Sequence, residues 1–325
     1  MNSHPLVSVV IPAYNAEPVI AETLASVRNQ TYPGWEALVV DDGSADNTIA
    51  VARSVAAQDP RIQCFTQANS GPAGARNAAL RHARGKLVAF LDADDVWLPT
   101  KLETQLALLD SNPDAGLLFA NYFIWDGQKD VELGYRKRER FPEGGRLQDL
   151  YYRNVFATSS VLVRRETLEA SGPFDTEIVG VEDWDMWLRL TERGARARGV
   201  WEPQVRYRRW PQSLSGNRER LFAYAVLTLE KALVRSTSPE RVRHYRRSLG
   251  MARARLEFAK TVPLTESSPD AVPPAIFRAW RNDPRLKWLL WYLGAAWPRP
   301  LGGRPIAEYV YRELRRKWGP DTMGR

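Results

Sequence analysis

Over the first hundred residues, short apolar β-branched runs alternate with segments whose apolar side chains recur every three or four positions. Residues 6–11 (LVSVVI) and 36–40 (EALVV) have the near-continuous apolar character of strands buried on both faces. Residues 62–66 and 87–91 (LVAFL) predict two more. Between them, residues 17–30 place Val19, Ile20, Leu24 and Val27 at helical spacing, and residues 48–58 are helical in pattern. Residues 71–83 read as a loop entering a helix. This βαβαβαβ rhythm predicts an α/β fold with a parallel sheet covered by helices on both faces. Ligands in such sheets bind beyond the carboxyl ends of the strands. Those ends here carry PAYN, DDGS and DADD.

The pattern then loosens. Residues 99–111 predict a helix with Leu102, Leu106 and Leu109 aligned, and residues 116–122 a strand. Residues 127–147 are charged and read as a solvated loop. Residues 157–164 (ATSSVLVR) and 200–208 resemble strands, and residues 182–193 a helix with Trp184, Trp187 and Leu188 on one side. From about residue 217 strands become scarce: 218–260 look helical and basic, 263–274 resemble a linker, and 275–318 mix Trp, Leu and Arg.

Charge sharpens that division. The chain of 325 residues carries a net charge of +8. Residues 1–210 hold 24 basic and 28 acidic side chains, a balance of −4, whereas residues 211–325 hold 22 and 10, a balance of +12. The excess positive charge therefore lies in the last third, which points to an anionic partner for that region. A single cysteine, Cys64, excludes an internal disulfide framework and a Cys-rich zinc cluster. Three histidines argue against a His-based metal site or a Ser-His-Asp triad, so the chemistry must rest on carboxylates. The opening MNSHPLVSVVIPAYN has no basic n-region and is broken by Pro12, so it reads as a buried strand, not a secretory signal. The most apolar late stretch, residues 289–297, has nine residues where a spanning helix needs about 20. The expectation is a protein that does not span a membrane.

Four clusters can carry chemistry. Asp92, Asp94 and Asp95 follow a buried apolar strand, where three carboxylates are costly unless a cation neutralises them. Oxygen ligands suit Mg²⁺ or Mn²⁺; the competing reading is a solvated loop or a cap for the helix near Pro99. Asp41 and Asp42, in VVDDGSADNT, could bind ribose hydroxyls or a base N–H, or simply form a turn. The segment NSGPAGARN allows close backbone approach and offers the Arg76 fork for a phosphate, and it is neither a Walker loop nor GxGxxG. In GVEDWDMWLR an acidic pair beside Trp residues could supply a general base next to a sugar platform, although acidic residues at a helix start are also favoured by its dipole.

Taken in order, PAYN, VVDDGSADNT, NSGPAGARN, FLDADD and the ED-W pair resemble the family 2 glycosyltransferases of the GT-A fold, over roughly residues 5–215. The resemblance implies a mixed, mostly parallel Rossmann-like sheet flanked by helices. It implies a glycosyltransferase domain at 1–215, with a nucleotide-sugar half at about 1–100 and an acceptor half at about 100–215. A helical, basic region at 216–325 follows. It assigns Pro12, Ala13, Tyr14, Asn15, Glu17, Asp42, Arg76, Asp92 and Asp94 to the donor. Asp94, with Asp92, is the implied ligand of Mn²⁺ or Mg²⁺. Asp183 is the implied general base, with Glu182, Trp184 and Asp185 shaping the acceptor site. The implied reaction is inverting transfer from a nucleotide-sugar, with UDP the commonest base, to a saccharide or lipid-linked acceptor in cell-surface polysaccharide or glycolipid synthesis.

One departure stands out. Relatives often carry His in a YRxH-like segment; here Tyr207-Arg208-Arg209-Trp210 puts Trp210 at that place, and Trp cannot ligate a metal. Arg208 or Arg209 then becomes the candidate for the diphosphate. The basic last third fits two readings: a helical subdomain packed on the core, or an anionic membrane surface met through 275–325. No nucleic-acid motif accompanies the charge, so none is expected as a partner. The expected location is cytoplasmic, peripheral on the inner face of the membrane. A non-catalytic nucleotide-sugar or glycan-binding module of the same fold is the alternative to an enzyme.

Overall fold

The computed structural model describes residues 7–135, 146–209 and 217–261. Strands β1 (Val7–Ala13), β2 (Trp35–Asp41), β3 (Ile62–Thr66) and β4 (Leu87–Phe90) alternate with helices α1 (Ile20–Arg28), α2 (Thr48–Ala56) and α3 (Gly71–His82). The strand order β3-β2-β1-β4 is parallel throughout. The run of apolar residues in β1 and β2 is explained by its position: every residue of β2 is buried. The helices contribute the stripe that the sequence spacing predicts, with Ile20, Leu24 and Val27 of α1 fully buried.

Register brings the polar strand ends together. Ala13 of β1 pairs with Asp41 of β2, and Val10 with Phe90 of β4, so PAYN, DDGS and DADD emerge side by side.

The second half turns the sheet mixed. It adds β5 (Val96–Trp97), α4 (Lys101–Ser111), β6 (Ala115–Trp125), β7 (Asp130–Leu133), β8 (Leu162–Arg164), α5 (Arg165–Ala170), α6 (Glu182–Glu192) and β9 (Arg196–Arg208). β8 runs antiparallel to both β4 and β6, while β6 and β9 are parallel. Ala89 near the end of β4 pairs with Leu162 at the start of β8. The residues just before β8 therefore lie against the residues just after β4.

Several elements differ from the sequence pattern. Only the end of the strand expected at 157–164 is a strand. Thr158–Ser160 is a 3-10 turn, in which Ser160 Oγ offers the Ala157 carbonyl a local partner in place of a ladder. The loop expected at 127–147 contains β7, which pairs with β6, and residues 136–145 lie outside the described residues. The helical region expected at 218–260 is two helices, α7 (Arg218–Arg235) and α8 (Pro239–Thr261). Pro239 opens the second, where its missing N–H costs no helical bond.

The chain divides into two compact units. The first joins the residues up to Asn217 with Leu227–Arg246; the second joins Arg218–Val226 with residues from Arg247 onward. Among the described residues no helix is long and apolar enough to cross a membrane. The linker expected at 263–274 and the Trp-rich stretch at 275–325 lie outside the described residues.

Candidate active site

The PAYN and DDGS loops are stitched to each other. Asn15 sits at φ +48, in the left-handed region that Asn tolerates better than most residues. Its N–H donates to Ser44 Oγ and its Oδ1 accepts from the Ala45 N–H, both at 2.9 Å. Pro12 and Ala13 belong to β1, where the Ala13 carbonyl accepts the Asp42 N–H at 2.8 Å. Tyr14 projects outward, 54% exposed, where an aromatic face is open to a ligand.

Asp42 is buried. Its Oδ1 accepts from Gln67 Nε2 at 2.7 Å and from the Ser70 N–H at 2.9 Å, so it anchors the start of α3. Its Oδ2 accepts no hydrogen bond among the described residues. Gly74 is required just there, since a Cβ would lie 2.5 Å from Ser70 Cβ. The Glu17 carboxylate accepts from the Asn47 N–H at 2.9 Å and from Asn47 Nδ2 at 3.0 Å, which commits it to the entry of α2.

Arg76 is the hinge between two motifs far apart in sequence. Only 3% exposed, it donates through Nη2 to Asp92 Oδ1 at 2.6 Å and through Nη1 to Glu182 Oε1. Burial opposes its charge, but Asp92, Glu182 and Asp183 more than offset that, and its proton is held more tightly than usual. Its Nε is buried without a partner.

The three carboxylates after β4 have different tasks. Asp92 shares Arg76 and donates its N–H to Ser159 Oγ at 3.0 Å. Asp94 is half-buried, and its carbonyl accepts Arg208 Nε at 2.8 Å. Asp95 is 1% exposed; its carboxylate accepts from Ser159 Oγ and, at 2.8 Å, from the Arg208 N–H. Burial, together with the charges of Asp94 and Asp92, pushes Asp95 well above the usual carboxylate range.

Arg208 is locked beneath this loop. It also pairs with Glu22 and lies 4.0 Å over the Trp125 ring. Of the two arginines considered for the diphosphate, Arg208 is thus committed to the interior, while Arg209 is exposed. Trp210 lies outside the described residues.

Asp183 stands at the start of α6. Its Oδ2 accepts from Asn154 Nδ2 and from Thr158 Oγ1, each at 2.6 Å, and its Oδ1 accepts the Trp184 N–H at 2.7 Å. A carboxylate offers about four lone-pair sites, so Oδ2 is full and Oδ1 retains one. Burial first, then the Glu182 charge, pushes Asp183 up to about 6, with Thr158 and Arg76 opposing.

Its neighbours face inward. Glu182 is 3% exposed and holds Arg76 and, at 2.7 Å, the Gly180 N–H. Trp184 donates Nε1 to the Leu150 carbonyl at 2.7 Å. Asp185 is fully buried between Arg189 Nε at 2.8 Å and Arg235 Nη1 at 2.9 Å. Glu182, Trp184 and Asp185, the three residues expected at the acceptor, are thus buried and engaged in fixing α6. Lys231 adds contacts to Asp175, at 2.6 Å, and to Glu177, tying down the segment that leads into α6.

Asn154, Thr158 and Ser159 escape sequence reasoning. Their run reads as a β-branched strand, and only its unusual density of hydroxyls hints otherwise.

A divalent cation fits the residues present. Asp92 and Asp94 supply hard oxygen ligands at one strand end. No group of three or more His, Cys, Asp or Glu that could hold a metal ion exists among the described residues.

A mixed, mostly parallel α/β sheet flanked by helices in this way is the GT-A architecture. The chain is similar to TarS of S. aureus in complex with UDP-GlcNAc (TM-score 0.64, 20% identity, 94% of this chain and 87% of that one). It is also similar to the mannosyltransferase PcManGT of Pyrobaculum calidifontis in complex with GDP-Man and Mn²⁺ (TM-score 0.63, 23% identity, 99% and 85%). Two sequence relatives are closer. One, from Bacillus subtilis, carries the name of a teichuronic acid biosynthesis glycosyltransferase, TuaG, with 36% identity over 67% of this chain and 84% of its own length. The other is the Escherichia coli UDP-Glc:alpha-D-GlcNAc-diphosphoundecaprenol beta-1,3-glucosyltransferase WfgD, with 34% identity over 57% and 69%. The sequence model of glycosyl transferase family 2 matches residues 8–172, and the chain belongs to that family.

Proposed function

We propose that this glycosyltransferase moves a sugar from a UDP-sugar to a hydroxyl of a saccharide or lipid-linked acceptor, with inversion at the anomeric carbon. The observation that carries the reading is Asp183: a carboxylate at a helix start, saturated on Oδ2, with one open site on Oδ1 and a proton affinity near neutrality. A base poised near the working pH combines availability with driving force.

The acceptor hydroxyl donates its proton to Asp183 Oδ1 as its oxygen attacks the anomeric carbon from the face opposite the nucleotide. One displacement forms the new glycosidic bond and breaks the bond to the diphosphate, so no covalent nucleophile is needed. Pro12, Ala13, Tyr14, Asn15 and Asp42 receive the nucleoside, with Asp42 Oδ2 available to a ribose hydroxyl or a base N–H. Glu17 supports this loop through Asn47. Asp94, with Asp92, would hold Mn²⁺ or Mg²⁺, which when bound stabilises negative charge on the leaving diphosphate. Arg76 orients the Asp92 carboxylate, and Arg209, which is exposed, is available to phosphate oxygens.

The name of WfgD, with its UDP-Glc donor and diphosphoundecaprenol acceptor, and the UDP-GlcNAc complex of TarS support a UDP donor and a lipid-linked acceptor. A cytoplasmic location, peripheral on the membrane face that presents such an acceptor, belongs to the same reading.

The test is a panel of nucleotide-sugars incubated with the full chain, Mn²⁺ and a GlcNAc-diphospholipid. The expected result is release of UDP from one donor and a product whose anomeric proton coupling shows inversion. No nucleotide release from any donor, or retained configuration, contradicts the reading.

A further inference from the structure

Two consecutive residues join the loop that carries the carboxylates assigned above to the donor with the carboxylate assigned as the base, and this inference rests on that assignment. Thr158 Oγ1 donates to Asp183 Oδ2 at 2.6 Å. Ser159 Oγ accepts the Asp92 N–H at 3.0 Å and donates to the Asp95 carboxylate. The pairing of Ala89 with Leu162, and the Phe90 N–H bond to the Val161 carbonyl at 3.2 Å, fix the turn against the end of β4.

The turn is itself held rigidly. Its Ser159 carbonyl accepts Trp97 Nε1, and its Ser160 carbonyl accepts Gln105 Nε2, each at 2.8 Å. Within the turn, Ser160 Oγ donates to the Ala157 carbonyl at 2.7 Å. Ser159 and Ser160 are fully buried and Thr158 is 7% exposed, so no water competes for these hydroxyls.

We propose that the Thr158–Ser160 turn is the positioning element of the reaction, setting the base and the donor carboxylates against one another through Thr158 and Ser159. A hydroxyl has one proton to give. Thr158 spends it on Asp183, which orients Oδ2 inward and leaves Oδ1 for the acceptor. Ser159 spends it on Asp95 and uses its lone pair on the Asp92 backbone, which fixes the loop that carries Asp92 and Asp94. Misplacement of reacting groups by about 1 Å costs on the order of 10²-fold in rate, so a common reference for both partners has direct kinetic value. The charged groups acting on Asp183 are Glu182 on its own helix and Arg76 from α3; Asn154 Nδ2 and the Trp184 N–H are its other neutral donors.

The two hydroxyls should leave different signatures in the full-length protein. The probes are UDP with Mn²⁺ for the donor side, followed by calorimetry, and the pH profile of turnover with whichever nucleotide-sugar the wild type uses. Thr158→Val should lower kcat about 10- to 100-fold and move the acid limb to higher pH, since a bond favouring ionised Asp183 is lost, while UDP–Mn²⁺ affinity stays within about twofold. Thr158→Ser should restore both kcat and the limb. Ser159→Ala should weaken UDP–Mn²⁺ binding and raise the donor KM about tenfold, with the acid limb in place.

Loss of activity in Thr158→Val without movement of the limb, or equal losses in both variants that track the fall in Tm and are not rescued by Thr158→Ser, overturns the positioning role. A wild-type chain that neither binds UDP nor turns over any nucleotide-sugar overturns the glycosyl-transfer reading itself, and is recognised before any variant is compared.

Discussion

Arg76 Nη2 donates to Asp92 Oδ1 at 2.6 Å while the same guanidinium holds Glu182, 106 positions away in sequence. One buried cation thus joins the loop after β4 to the helix that carries Asp183.

Its removal should be severe. Arg76→Ala leaves Glu182 buried without its counter-charge, and breaking a buried ion pair by deleting one partner costs about 3–5 kcal/mol. Arg76→Lys keeps the charge but loses the two-pronged geometry, so it should recover part of the stability and little of the donor affinity. Urea unfolding and UDP–Mn²⁺ calorimetry on both variants check this.

Asp94 should matter to the donor and little to the fold. Asp94→Ala, or chelation by EDTA, is expected to reduce UDP affinity at least tenfold while Tm shifts by only a few degrees. Undiminished UDP binding without a divalent cation contradicts the assignment of Asp92 and Asp94.

Asp183 links the site to pH-dependent stability. Its carboxyl is raised from 3.8 to about 6, so folding favours the protonated form. The stability it contributes is complete below about pH 4 and is lost as pH rises through about 6. Relative to Asp183→Asn, the wild type should therefore lose up to about 3 kcal/mol between pH 4 and pH 7, at 1.36 kcal/mol per pKa unit. Urea midpoints of the two proteins at both pH values measure it.

Lys101 is a cost carried by the core. It is fully buried, its Nζ has no hydrogen-bond partner among the described residues and lies 3.9 Å over the Trp97 ring, and burial pushes its pKa well below the usual lysine range. Lys101→Met keeps the volume and removes the amine, so it should stabilise the protein at pH 7 by about 1–3 kcal/mol. The gain should shrink as pH rises through about 10.4, the ordinary lysine value, above which the wild-type amine is neutral in either state.

Much of this was readable in the sequence because carboxylates after apolar strands are conspicuous. Asp92, Asp94 and Asp183 stand out as charges that a buried strand end or helix start must justify. Most of the parallel half of the sheet was legible for the same reason, since β1, β2 and β4 are buried and read as largely apolar runs. What escaped was whatever depends on packing between distant segments. Thr158 and Ser159 have the composition of a strand, and only the packing of β8 against β4 shows that their hydroxyls serve two carboxylate clusters. For Asp185 and Trp184, nothing local announces that Arg235 and the Leu150 carbonyl are their partners. Short β5 and β7 have too few residues to display an alternation.

The most direct test of the account is the turnover of the Asp183→Asn variant against the wild type with the same nucleotide-sugar, acceptor and Mn²⁺. The account predicts UDP–Mn²⁺ affinity within about threefold of wild type and transfer reduced by about 10²–10⁴-fold, the usual worth of a general base. Transfer by Asp183→Asn at the wild-type rate contradicts it.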